Sequence, residues 1–148
     1  MVIETLKSLF IRDLNKLYDE IQLYNEEKSI WKTDKRISNS AGNLCLHLMG
    51  NLNTYIGREI GNTGYIRNRE AEFSKNNIPR EQLLDQLRET IKTVITSLDD
   101  LNDAMLENEY PLCVFDKKTS TGYLLIHLAT HLTYHLGQIN YHRRLIDI

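Results

Sequence analysis

The stretch His127-Leu-Ala-Thr-His131-Leu-Thr-Tyr-His135-Leu-Gly-Gln138 does most to narrow what this chain can fold into. Four of the five histidines lie between residues 127 and 142, and three of them are spaced by four. Leu124, Leu125, Leu128, Leu132, Leu136 and Ile139 carry an apolar pattern through the same stretch, which predicts one long helix. With His127 at zero and about 100° per residue, Gln138 falls at about 20°, His131 at about 40°, His142 at about 60° and His135 at about 80°. One face of one helix is therefore lined with imidazole and amide groups.

Neutral imidazole is the commonest metal-binding side chain. Residues four apart on a helix have Cβ atoms roughly 5–6 Å apart, so two such rings can share an ion. Two ligands from one helix rarely complete a site, and an open catalytic zinc-type site takes about three protein ligands plus a position for water. The remaining histidine, His47, is the candidate for the third. Spacing alone leaves open whether 127/131 or 131/135 is the chelating pair. The competing reading is a ladder of buried imidazoles hydrogen-bonded to neighbouring helices without a metal.

The 148 residues fit a single domain, 1–148, able to bury about 68–70% of its unfolded surface. A net charge of −2, with Lys and Arg scattered along the chain, leaves no basic footprint for nucleic acid. No apolar run is long enough to span a membrane. The N-terminal residues Met-Val-Ile-Glu-Thr-Leu-Lys interleave acidic and polar groups and lack a signal-peptide core, so a cytoplasmic location is expected. Cys45 and Cys113 form no CxxC pair. Both are expected to be reduced, with Cys45 acting as a small buried hydrophobe.

Ile3, Leu6, Phe10, Leu14, Leu17, Ile21 and Tyr24 predict a first helix over 2–27. Trp31 and the polar run 32–39 then make a connection. A second helix over 39–60, capped by Asn39 or Ser40, carries Leu44, Leu48, Leu52, Tyr55 and Ile56. Its His47 shares a face with Asn43, Gly50, Asn51 and Thr54, the small and polar lining expected beside a solvated pocket. Gly50 costs a helix about 0.8–1 kcal/mol relative to Ala, so something is expected to approach closely there. Residues 61–79 read as a long connection, either a surface crossover with solvated ion pairs or a lid over the site. A third helix over 80–106 follows an unbroken 3-4 apolar alternation from Leu84 to Met105. A second connection over 107–118 admits a short extended piece at 112–115. The hydroxyls of 119–121 then cap a fourth helix reaching about residue 145. The expected class is all-α, a four-helix bundle with a long crossover between helices 2 and 3.

His-Leu-Ala-Thr-His-Leu-Thr-Tyr-His-Leu-Gly-Gln-Ile (127–139) resembles the terminal-helix motif of the DinB-like, or YfiT-like, metal-binding four-helix bundles. The segment 39–52, with His47 and Asn51, resembles their second-helix signature, and Arg67-Asn-Arg69-Glu-Ala-Glu-Phe73 one largely uncharacterised branch. The resemblance implies a divalent metal, nickel or zinc, held by His47, His131 and His135, with His127 outside the ligand set. It also implies a homodimer and metal-assisted activation of a low-molecular-weight thiol toward an electrophilic small molecule, the chemistry of a thiol S-transferase. Gln138, Asn51, Arg69, Glu72, Tyr134 and His127 are the candidate residues around the metal or its pocket. The alternatives are a metal-dependent hydrolase, with Glu70, Glu72 or Tyr134 handling protons, and a non-catalytic metal-binding or stress-associated bundle.

Overall fold

The computed structural model describes residues 1–148, and the chain is helical throughout its long elements, with no strand. In α1 (Val2–Leu23) the residues from Ile3 to Ile21 that recur at helical spacing are all buried. Tyr24 turns to an extended conformation (ψ 128°) and ends the helix, four residues before the expected boundary at 27. A 3-10 turn, Glu27–Trp31, then tucks Ile30 and Trp31 into the core, so Trp31 belongs to the interior and not to a surface connection. α2 (Ala41–Leu52) begins at Ser40, whose hydroxyl accepts the Asn43 N–H at 3.1 Å, and continues through a π-helical turn, Asn53–Arg58.

The crossover holds a short helix, α3 (Arg69–Ser74), capped by Asn68 through the Ala71 N–H. α4 (Arg80–Asp99) stops before the expected 106. Leu101 and Met105 continue the apolar spacing into a separate 3-10 turn, Asp103–Glu107, whose first carboxylate accepts the Ile3 N–H of α1 at 2.9 Å. The piece at 112–115 forms no strand. The backbone pairs instead on either side of it, Tyr110 N–H to Thr119 O and Thr121 N–H to Asn108 O, both 2.8 Å. α5 (Thr121–Ile146) starts at Ser120, which accepts the Tyr123 N–H.

α1 packs against α4 and α5, and α2 packs against the same two helices from the opposite corner. Side-chain pairs give the directions. Asp13 meets Thr133 and Glu20 meets Arg143, so α1 and α5 run parallel. Lys7 meets Asp99 and Arg88 meets the Tyr18 hydroxyl, so α1 and α4 run antiparallel. Asn53 meets Thr90 at 3.0 Å and Gly57 lies against Thr93, so α2 and α4 are parallel. Two parallel helices joined in sequence require the chain to return along the bundle. The 20 residues of α4 measure about 30 Å at 1.5 Å per residue, which is why the crossover is long. One hydrophobic cluster of 30 buried residues runs through the four long helices and includes Cys45. No helix is long and apolar enough to cross a membrane.

Candidate metal centre

His47 sits mid-way along α2 and is buried; His131 and His135 face it from consecutive turns of α5. One ring nitrogen of each of the three lies within 4.8 Å of the others. His47 Nε2 is 3.3 Å from His131 Nε2, and ring centroids are 5.1 Å apart for 47/131, 5.4 Å for 47/135 and 4.6 Å for 131/135. The i, i+4 spacing on α5 supplies two rings, and the antiparallel α2 brings the third between them.

The crossover completes the surroundings. Glu72, buried on α3, accepts the His47 Nδ1–H at 3.1 Å through Oε1. Arg67 donates to the same carboxylate from both sides of its guanidinium, Nε to Oε2 at 2.9 Å and Nη2 to Oε1 at 3.0 Å. This bidentate pair fixes the carboxylate and neutralises it. Gly50 makes the approach feasible: a Cβ there would lie 1.8 Å from Glu72 Oε2. Asn43, one turn before His47, holds α3 in place by donating to the carbonyls of Glu72 (3.0 Å) and Lys75 (2.8 Å). Phe73 packs on the His47 ring at 5.0 Å between centroids. The polar face of α2 expected beside a solvated pocket is therefore the docking face for α3.

A carboxylate only accepts, so His47 carries its proton on Nδ1 and presents a lone pair at Nε2. His135 is set in the same way, with Nδ1 donating to Gln138 Oε1 at 2.7 Å. Two of the three rings are thus held in the tautomer that aims Nε2 at the shared centre, the arrangement in which an outer partner orients a metal ligand. Burial pushes the His131 pKa down to about 4, with His135 and His47 adding to the effect, and burial also lowers that of His47. Neutral rings at neutral pH are what a cation requires. A metal-free ladder fits less well. It accounts for the 47/131 contact, yet gives His135 Nε2 no partner.

The other sequence candidates fall around this centre at different distances. His127 is half-buried one turn before His131, stacked on it at 6.3 Å and edge-on to Phe115 at 4.8 Å, outside the three-His group. Gln138 orients His135. Asn51, one turn beyond His47, is buried with its Oδ1 unpartnered. Tyr134 is exposed with its ring 5.3 Å from His135. Arg69 and Glu70 are exposed and make no side-chain bond, so Arg67 takes the place expected of Arg69. His142 lies outside the centre: Nε2–H donates to Lys32 O at 2.8 Å and Nδ1 accepts the Tyr24 hydroxyl at 2.6 Å. The sequence places Asn43 on the His47 face and Arg67 in the crossover but shows a role for neither, because both act through a crossover contact that has no periodic signature.

A family model described as "Protein of unknown function (DUF1572)" matches residues 3–147. The chain belongs to this family. No curated protein matches it. In this DUF1572 chain, both histidine segments and the crossover that supplies Glu72 lie inside the matched region.

Proposed function

We propose that the DUF1572 chain is a divalent-metal protein of the DinB-like and YfiT-like kind, in which His47, His131 and His135 hold nickel or zinc, and that it is a metal-dependent enzyme of the thiol S-transferase type. The observation that carries the proposal is the convergence of three imidazoles, two of them locked by Glu72 and Gln138 with Nε2 turned inward. An ion held by three protein ligands would supply a Lewis-acidic open position, at which a thiol is deprotonated outright.

The chain's own contribution is orientation and exclusion. Glu72 and Arg67 hold His47, Gln138 holds His135, and Phe73 covers the His47 ring. His131 and His135 are partly buried, and a groove on the α5 side reaches His135, which gives a small molecule access to the centre. Both oxygens of Glu72 are engaged and Glu70 faces solvent, so no free carboxylate stands ready as a general base. That favours a nucleophile ionised by the metal over the hydrolase alternative, for which Tyr134 is the remaining proton-handling group. A homodimer is part of the proposal; Tyr123 and Ile126, exposed on α5, are apolar surface that it would cover.

The test is thiol consumption by zinc- or nickel-loaded protein with a monochlorobimane acceptor. Turnover above the uncatalysed rate, lost in His131→Ala, is expected. A metal-loaded protein that never exceeds the uncatalysed rate across a panel of low-molecular-weight thiols would leave a non-catalytic metal-binding bundle.

A further inference from the structure

We propose that the groove beside His135 binds an amphipathic organic anion, with Arg36 receiving the anionic group and the tyrosines of α5 the apolar body. The proposal rests on the metal-site reading for its catalytic sense, since it assigns the class of molecule delivered to that centre. The groove encloses about 450 Å³, the scale of a small-molecule site, and reaches His135 and Gln138 directly. Leu44 of α2 forms its floor, Tyr134 and Tyr141 of α5 one wall, and the turn carrying Arg36 and Ile37 the other.

That second wall is fixed to the bundle. Asp34 and Ile37 exchange backbone hydrogen bonds of 3.3 and 2.9 Å, closing a tight turn with Arg36 inside it. A few residues earlier, Lys32 O accepts the buried His142 Nε2–H, and a few residues later Ser40 caps α2. The position of Arg36 is thus set by its backbone on both sides.

Charge selects the occupant. Arg12, Arg58, Arg67, Arg88 and Arg143 each pair with a carboxylate, whereas Arg36, exposed like Arg69, makes no ion pair or hydrogen bond and, unlike Arg69, lines the groove. No Asp or Glu lines the groove. A second guanidinium, Arg144, likewise has no carboxylate and lies 5.1 Å from the centroid of the Tyr141 ring at the groove wall. Unpaired guanidinium beside phenol rings and aliphatic side chains matches a carboxylate, sulfonate or phosphate attached to an apolar body. A neutral or cationic molecule would leave Arg36 without a partner.

The experiment compares naphthylacetate with its neutral analogue naphthylacetamide by NMR titration. The carboxylate is expected to bind wild-type protein about tenfold more tightly, the worth of roughly one charge-assisted contact. Arg36→Gln should erase that preference while leaving the amide's affinity unchanged, which also reports that the groove is intact. Metal-free His131→Ala should keep the preference. Equal binding of the two probes to wild type, or a preference that survives in Arg36→Gln, would overturn the proposal. So would loss of the preference in His131→Ala, because the anion would then sit on the ion. Failure of the metal reading shows separately, as a preference retained by a protein that takes up no metal.

Discussion

Gly50 and Glu72 depend on each other, because the missing side chain of one is the space that the other's carboxylate occupies. Gly50→Ala is therefore expected to displace Glu72 and free the His47 ring. Loss of an outer-shell partner of this kind costs about 10–100-fold in metal affinity, readable by competition with a chelating dye. Unchanged affinity would mean that Glu72 does not orient His47. A glycine under pressure was legible in the sequence, since its cost inside α2 called for a close approach. The identity of the approaching group was not, because Glu72 arrives from across the crossover. His142 gives a pH prediction. Burial lowers its pKa below the ordinary 6.5, so the folded form prefers it neutral and the unfolded chain binds the extra proton. Stability is then full above about 6.5 and falls as the pH drops through the window below it. His131, pushed down to about 4, adds to the same trend in metal-free protein. Denaturant midpoints of metal-free protein should fall between about pH 6.5 and 5, less steeply in His142→Gln than in wild type. The carboxylates with lowered pKa values, such as Asp103 and Asp147, titrate only below the ordinary 3.8 and leave that window clear.

At the scale of elements, α3 is the piece that makes a three-His cluster into an oriented one. Six residues are too few to show a helical period, which is why the stretch read as an irregular connection; Asn68 and the buried Glu72 give it away only in three dimensions. The two hydrogen bonds from Asn43 tie it to α2. Asn43→Ala should raise amide hydrogen exchange in residues 69–75 with α1, α4 and α5 unaffected, and protection there equal to wild type would show that Phe73 packing alone holds α3. The long helices, by contrast, were legible to within a few residues wherever apolar spacing met a cap, as at Ser40 and Ser120. The end of α4 falls short of the expected 106. A 3-10 turn keeps an apolar residue near every third or fourth position, so Leu101 and Met105 extended the pattern past the real terminus at Asp99.

At the scale of the molecule, the parallel pairing of α2 with α4 forces the crossover, and the crossover then brings Arg67 and Glu72 to the histidines. Fold and site have one cause. The four-helix arrangement and the residues His47, His131 and His135 could be read from spacing and motif; the choice of 131/135 over 127/131 could not be read from spacing, because both pairs are i, i+4. The structure separates them, placing His127 against Phe115 and the other two against His47. The core of 30 buried residues makes no use of an ion. Chelation should therefore leave the far-ultraviolet circular dichroism spectrum unchanged, whereas unfolding on chelation would make the metal structural. Protein purified without a polyhistidine tag or chelator, and measured by plasma mass spectrometry, is expected to carry about one nickel or zinc per chain, as a single open site would. His47→Ala should abolish that stoichiometry. No metal in wild type, and none after exposure to zinc or nickel, would contradict the account and leave the three imidazoles as a polar seam between α2 and α5.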